Sequence, residues 1–304
     1  MPLVAPQSVT RPKKTSMAFH LRSKAARRQE RLAWQHVGLV AGFLAGRHFI
    51  GLNDLHYGYW LDGVEPCIKN LSAAQNEYSK FLINHIPCDA RRILDVGCGA
   101  GGLASKLIAR GHEVDCVSPS SFLNGQAKNL LGARAQLYEC RYEDFQAAEA
   151  YDAIVFCESF QYVDKKRVGE LVTSQLRRGG SLVICDFFCL PVKEHSPIGG
   201  GHPLNEFRQT ISRFPFRLIE DIDITSRTAP TYNVIDQAFS EVLRPIWNEV
   251  DSTFTMTHPI WSKCVNLLFK KRITKVERKY FDRRQSAESF QRFKTYRLMR
   301  FERE

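Results

Sequence analysis

Arg91-Arg92-Ile93-Leu94-Asp95-Val96-Gly97-Cys98-Gly99-Ala100-Gly101-Gly102-Leu103-Ala104-Ser105-Lys106-Leu107-Ile108-Ala109-Arg110 is the stretch that decides the fold. It opens as an apolar run, passes through closely spaced glycines and ends in a helix-forming run, so the order is strand, turn, helix. Glycines let a backbone pass close to a ligand, and a helix N-terminus offers free N–H groups and a positive dipole to an anion. Gly97, Gly99 and Gly102 also fit the glycine spacing of a dinucleotide-binding turn, so spacing alone does not choose the ligand. Asp95 does. It stands at the carboxyl end of the strand, two positions before the first glycine, where dinucleotide folds usually carry an apolar residue.

Downstream, apolar strands are expected at 92–96, 113–117, 135–140, 152–157 and 181–188, and helices at 101–110, 120–131 and 164–177. Gly179-Gly180 is placed to close the last of these helices. Such alternation predicts an α/β chain with a Rossmann-like, doubly wound, seven-stranded and mostly parallel sheet, its ligand lying beyond the carboxyl ends of the strands. After Phe188 a helix near 203–214, a strand from Arg217 to Thr225, three helices within 230–292 and a last strand from Tyr296 to Phe301 complete the pattern. Upstream, residues 66–87 read as a helix with Leu71, Ala74, Tyr78, Phe81, Leu82 and Ile86 on one face, and residues 25–50 as another. The expected domain plan is a disordered basic arm (1–24), a helical cap with an aromatic loop (25–90), the core (91–225), a helical lid insertion (226–294) and a final strand (295–304).

The net charge of +11 over 304 residues is unevenly spread. Residues 1–33 hold eight Lys and Arg against one acid, and residues 270–304 hold thirteen against five, which leaves the body mildly acidic. Basic ends suit peripheral contact with an anionic membrane, or with nucleic acid, which is the less favoured partner. Aromatic residues interleaved with the C-terminal charges, Phe269, Tyr280, Phe281, Phe290, Phe293 and Tyr296, fit base stacking and a packed helix face alike. Nine scattered cysteines without a C-x-x-C pair predict free thiols in a reducing, cytoplasmic setting and no zinc ribbon. No apolar run approaches the length needed to span a bilayer.

The Asp95 turn resembles motif I of the class I S-adenosylmethionine-dependent methyltransferases. The resemblance implies S-adenosylmethionine as cofactor, with Asp95 facing its methionine amino group and Gly97, Cys98, Gly99 and Gly101 admitting its methionine and ribose parts. The loop His56-Tyr57-Gly58-Tyr59-Trp60 resembles the aromatic motif of the cyclopropane fatty acid synthase, tocopherol and sterol methyltransferase branch, which implies that Tyr57, Tyr59 and Trp60 close over the methionine end. A sulfonium cation near aromatic faces is a physically sensible arrangement. Where the family holds the ribose hydroxyls with an acid, this chain has Cys116, followed by Val117 and Ser118. Asp115 is one residue early and in an extended strand faces the other way. Gln126 stands close by on the next helix. Tyr142 and Glu143 match the adenine-side pair.

Cys157-Glu158-Ser159-Phe160-Gln161-Tyr162 ends the fourth strand, where the methyl group is expected. Glu158 is kept from the family pattern, but Gln161-Tyr162 replaces Glu-His, which weakens the case for bicarbonate-assisted chemistry. Glu158 is therefore the expected general base if burial raises its pKa, with Tyr162 orienting the acceptor. His195 and His202, beside Gly199-Gly200-Gly201, are further base candidates near a lid hinge. Trp247, Phe254, Met256 and Trp261 are placed on the lid. The expected reaction is methyl transfer to an apolar or amphiphilic small molecule such as a lipid, isoprenoid or polyketide-like compound. An RNA methyltransferase using the basic ends and a nicotinamide-dependent oxidoreductase are the alternatives. Metal-ligand spacing is absent.

Overall fold

The computed structural model describes residues 37–263, 267–269, 274 and 286–304. The chain divides into two compact units, residues 1–39 and 40–304. Of the first, only residues 37–39, which are helical, are described. The expected arm over 1–24, the first part of the 25–50 helix and most of the basic run after Phe269 lie outside the described residues.

In the second unit the strands are β1 (Arg92–Val96), β2 (Glu113–Val117), β3 (Ala135–Tyr138), β4 (Tyr151–Cys157), β5 (Leu176–Cys189), β6 (His202–Pro203), β7 (Phe216–Asp223) and β8 (Lys294–Arg303). Seven of them run in the order β3-β2-β1-β4-β5-β8-β7, and the two-residue β6 pairs with the end of β5. The first five strands are parallel, while β8 lies antiparallel between β5 and β7. Among the described residues the helices that frame the sheet and the insertion include α1 (Leu71–Asn84), α2 (Gly102–Ala109), α3 (Ser121–Leu131), α4 (Lys165–Gln175), α5 (Leu204–Ile211), α6 (Pro230–Ala238), α7 (Arg244–Thr257) and α8 (Ala287–Phe293).

Successive strand residues point to opposite faces, so each strand feeds two cores. Ile93, Val114, Cys116, Val155, Val183, Cys185 and Leu298 pack with Tyr78 and Leu82 of α1, Leu103 and Leu107 of α2, Ala127 and Leu131 of α3 and Phe290 of α8. Leu94, Val96, Ile154, Phe156, Leu182, Ile184 and Met299 pack on the other face with Val168 and Val172 of α4 and Leu204, Phe207 and Ile211 of α5. Burial on both faces explains why the parallel strands read as nearly unbroken apolar runs.

Three elements differ from the sequence expectation. β5 begins at Leu176, not 181, because Leu176 pairs with Tyr151 and the register then jumps to Ala153 with Ser181. Gly179 and Gly180 sit inside that bulge rather than capping α4, and a Cβ on Gly180 would lie 2.8 Å from the Arg177 carbonyl. The expected 66–87 helix is a 3₁₀ turn (Ile68–Asn70) followed by α1, which stops short of Pro87 as the residue before proline avoids helical geometry. β8 runs from Lys294 to Arg303, longer than expected, because it is paired along its length with β5.

Candidate active site

The carboxyl ends of β1, β2, β4 and β5 meet at one edge. The Gly97 amide donates to the Val117 carbonyl at 2.7 Å, tying the turn after β1 to the end of β2. Gly97 has φ +79°, and a Cβ there would stand 2.3 Å from the Ser159 Cβ, so the loops after β1 and β4 touch through a glycine that no other residue could replace without displacement. The Ser159 hydroxyl donates to the Val96 carbonyl in the same contact. Gly99 and Gly101 also have positive φ, and Gly101 is the left-handed cap that opens α2.

Asp95 sits at the end of β1, 1% exposed, and its Oδ2 has no hydrogen-bond partner among the described residues. Burial, helped by repulsion from Asp54, pushes its carboxyl up to about 7. A buried carboxyl oxygen without a donor is costly unless a ligand supplies one. Asp54 is the opposite case. Burial would raise it, but the hydrogen bond and charge of His56, then those of Lys106, bring it down to about 2. Lys106 of α2 reaches Asp54 at 2.7 Å and Ser79 of α1 at 2.7 Å, and His56 reaches Ser79 at 3.1 Å. The loop before α1 is thereby fastened to the helix behind the glycine turn.

The other residues expected on the cofactor side are spread around this turn. Cys98 and Cys116 are buried on the Asp95 face, and a mutual hydrogen bond together with burial pushes the Cys116 thiol up. Asp115 faces the opposite layer, as an extended strand requires, and is held by Arg92 at 2.9 Å and the Tyr151 hydroxyl at 2.7 Å. Val117 and Ser118 are buried at the end of β2, where the Ser118 amide donates to the Tyr138 carbonyl at 3.1 Å. Gln126 accepts from Arg47 at 3.0 Å. Tyr142 is buried with its hydroxyl unpartnered and its ring edge-on to Phe156, while Glu143 accepts from the Asp164 amide at 3.1 Å and from Arg141 at 3.0 Å.

A second group forms around Glu158. Its φ of +54° puts it in the left-handed region, a conformation that a non-glycine residue adopts only when its surroundings hold it there. Oε1 accepts from the Tyr57 amide at 2.7 Å and from the Tyr296 hydroxyl at 2.6 Å. Burial raises its carboxyl, opposed by His56, the Tyr296 hydroxyl and the Tyr57 amide. Tyr296 also pairs with the Tyr78 hydroxyl at 2.8 Å, and Tyr57 with the Tyr232 hydroxyl at 2.8 Å. Around Tyr57 stand the rings of Phe187 (6.2 Å, stacked), Tyr232 (5.4 Å), Phe290 (6.3 Å) and Tyr296 (5.9 Å). Cys157 contacts the Tyr78 hydroxyl at 3.9 Å. Asp186, level with Glu158 on β5, is 1% exposed and pushed up to about 8, chiefly by burial.

Tyr57 thus joins Glu158, while its neighbours in sequence go elsewhere. Tyr59 stacks on Phe81 at 5.0 Å. Trp60 is buried with Leu71, Ala74 and Val234, its indole N–H donating to Thr231 at 2.9 Å. Tyr162 is 68% exposed. His202 is bound to the carbonyls of Phe160 and Val163, which ties down the loop after β5, and Asp221 is ion-paired with Arg208 and Arg297. Sequence reasoning missed Asp54, Tyr78, Asp186, Tyr232 and Tyr296 as site members. Tyr78 and Tyr296 stand at core positions of α1 and β8, and a hydroxyl on an otherwise apolar face was the signal.

Residues 93–180 match the family described as a methyltransferase domain. An O-methyltransferase of Pyrenophora dematioidea is 26% identical over 226 residues, which covers 66% of this chain and 80% of that one. The geranyl diphosphate C-methyltransferase of Streptomyces coelicolor, solved with S-adenosyl-L-homocysteine, superposes with a TM-score of 0.65 at 17% identity, covering 93% of this chain and all of the other. The cyclase SpnF superposes with a TM-score of 0.64 at 16% identity, covering 88% and 94%, so the fold alone does not dictate the reaction. The buried acceptor of Asp95, facing a glycine turn at the end of β1, fits a cationic methionine group. The matched domain and these relatives make this chain an S-adenosylmethionine-dependent methyltransferase, and the superpositions give it the fold of those structures.

Proposed function

We propose that the chain methylates an apolar or amphiphilic small molecule (a lipid, isoprenoid or polyketide-like compound), with Glu158 as the general base. The observation that carries this reading is the buried Glu158 carboxyl, held by the Tyr57 amide and the Tyr296 hydroxyl beside the group of rings around Tyr57. S-adenosylmethionine, when bound, supplies an electrophilic methyl group on a sulfonium. Asp95 is assigned the methionine amino group, and Gly97, Cys98, Gly99 and Gly101 the close approach of the backbone. Cys116, Val117, Ser118 and Gln126 are assigned the ribose side, and Tyr142 and Glu143 the adenine side.

Glu158 is held at Oε1 by two donors, so its position is fixed before an acceptor arrives. Burial keeps its carboxyl basic enough to take a proton from an acceptor C–H, N–H or O–H. The rings around Tyr57 exclude water and present π faces to positive charge developing on the acceptor. Most of the rate then comes from holding the acceptor in line. Tyr232 and Phe290 lie on α6 and α8 of the helical insertion, so movement of that insertion is the proposed way in. Tyr57 closes the methionine end, while Tyr59 and Trp60 brace the loop that carries it.

The names of two neighbours support both O- and C-methylation, and the acceptor atom is left open between them. The test incubates the protein with methyl-labelled S-adenosylmethionine and a panel of isoprenyl diphosphates, fatty acids, polyketide-like phenols and total RNA. Label in the organic phase or on an isoprenyl diphosphate, lost in Glu158→Gln, is the expected result. Label in RNA, or full activity in Glu158→Gln, overturns the proposal.

A further inference from the structure

Lys294 opens β8, and the register sets it opposite Cys189 at the carboxyl end of β5. Alternation along β8 puts it on the same face as Tyr296, about 7 Å further along, whose hydroxyl donates to Glu158. Lys294 is 3% exposed, and its ammonium lies 5.7 Å from the centre of the Phe187 ring, which stacks on Tyr57. It therefore borders the group of rings beside Glu158. A buried cation is normally paired with an acid. The more exposed Lys106, Arg92 and Arg297 have theirs in Asp54, Asp115 and Asp221. Lys294 has none among the described residues. Its Nζ donates to the Gly200 carbonyl at 2.6 Å and to the Cys189 Sγ at 3.1 Å, neither of them a carboxylate. The acids at the neighbouring strand ends are held by other donors, Glu158 by Tyr57 and Tyr296, and Asp186 by the amides of Gln161 and Phe187. An ammonium has three N–H groups, so one is left over.

We infer that Lys294 receives an oxyanion of the acceptor, a carboxylate or a phosphate, so that the molecule methylated is an anionic amphiphile with its apolar body against Tyr57, Phe187 and Phe290 and its charged head on Lys294. The inference rests on the assignment of these rings and Glu158 to the acceptor. An ammonium held out of water without an opposite charge is costly, and an arriving oxyanion removes that cost while it forms a charge-assisted hydrogen bond. A neutral molecule of the same shape leaves the cost in place. The loop after β5 fixes where the head group goes. Gly200 has φ +79° and lies so close to Phe187 that a Cβ would stand 3.1 Å from the ring, which brings its carbonyl within reach of the ammonium.

Calorimetric titration of the full chain, saturated with S-adenosyl-L-homocysteine, with 4-phenylbutyrate, 4-phenylbutyl phosphate and the neutral 4-phenylbutanol tests this. At least one anion is expected to bind about tenfold or more tighter than the alcohol, and the tighter of the two tells carboxylate from phosphate. In Lys294→Met that preference should vanish while binding of the alcohol stays, with an unchanged thermal melt to show that the variant is folded. A lysine that served only to tie down the Gly200 loop would leave the preference unmoved. The wild-type comparison needs no variant. No binding of either anion, equal affinity for the anions and the alcohol in the wild type, or a preference that survives in Lys294→Met would each overturn the inference. The readout is equilibrium binding, so label in RNA or full activity in Glu158→Gln would strike the proposed function through a different measurement.

Discussion

Asp95→Asn is expected to make the ligand-free protein more stable and the donor complex weaker, a combination that few substitutions produce. The native carboxyl holds its proton to about pH 7, against an ordinary value of 3.8. Between those values the native state binds more protons than the unfolded chain, so stability falls as pH rises through the window. A shift of roughly three pH units at about 1.4 kcal/mol each sets a ceiling of about 4 kcal/mol lost by pH 8. The amide removes that loss but keeps unmade hydrogen bonds of its own, so about half should be recovered. About 2 kcal/mol corresponds to roughly 4–8 °C in Tm for a unit of this size. At pH 5, where the wild-type carboxyl is already neutral, the two melts should nearly coincide.

Binding changes in the opposite direction. A charge-assisted hydrogen bond contributes about 1.5–3 kcal/mol, so the Kd for S-adenosylmethionine should rise about ten- to hundredfold in the variant. Wild-type affinity should strengthen from pH 6 to pH 8 as Asp95 loses its proton, and the variant should show a flat profile. Calorimetric titration and ligand-free thermal melts at both pH values measure the two effects. The reasoning fails if Asp95→Asn melts at or below wild type at pH 8, or binds the donor with wild-type affinity.

Gly97→Ala adds a methyl that would lie 2.3 Å from the Ser159 Cβ at a φ of +79°, and urea unfolding should show a loss of about 2–4 kcal/mol, partly restored by adding Ser159→Gly. An alanine variant of wild-type stability would contradict the packing of the two loops. Tyr296→Phe removes a donor that favours the ionised form of Glu158, so the acidic limb of kcat/KM should move to higher pH by about one unit. An unmoved profile would count against Glu158 as base. Lys106→Met strips Asp54 of a partner in a buried setting and should cost about 3 kcal/mol at pH 7. Because the Asp54 carboxyl is depressed to about 2, its contribution is present above the ordinary value near 3.8 and fades as pH falls toward 2, so the gap between the two proteins should narrow there.

What the sequence made legible follows from range. The glycine turn, the strand and helix alternation and the inward face of α1 are local patterns, and they lie in the structure within a few residues of where periodicity puts them. The opposed fates of Asp115 and Cys116 were legible too, because strand geometry alone sends neighbours to opposite layers. The tyrosine group around Glu158 was not. Tyr78, Tyr232 and Tyr296 come from α1, α6 and β8, and only sheet closure, with β8 inserted beside β5, brings them within hydrogen-bond reach. The aromatic loop shows the same limit from the other side. His56, Tyr57, Tyr59 and Trp60 read as one motif, yet Tyr57 is tied by its amide to Glu158 and by its hydroxyl to Tyr232, while Trp60 donates to Thr231.

The electrostatics of the site carry one more step. Asp95, Glu158 and Asp186 stand at the carboxyl ends of β1, β4 and β5, and burial raises all three carboxyls. Asp54, close behind, is depressed because Lys106 and His56 face it. In the ligand-free chain Asp54 is therefore compensated by protein cations, whereas burial outweighs the opposing contacts at Asp95, Glu158 and Asp186. A cation arriving at the strand ends shifts that balance without any rearrangement of the fold, because it favours the ionised form of each raised carboxyl near it. Asp186 lies beside Glu158, and burial together with the negative charge of Glu158 pushes the Asp186 carboxyl up to about 8, so Asp186 keeps its proton while Glu158 ionises. Two neighbouring carboxyls cannot both ionise cheaply, so protonation of Glu158 should be easier when Asp186 has lost its proton. Because Asp186 still carries its proton on the acidic limb of the pH–rate profile, Asp186→Asn should leave that limb in place, unlike Tyr296→Phe, and a limb that moves to lower pH would show that Asp186 is charged while Glu158 titrates.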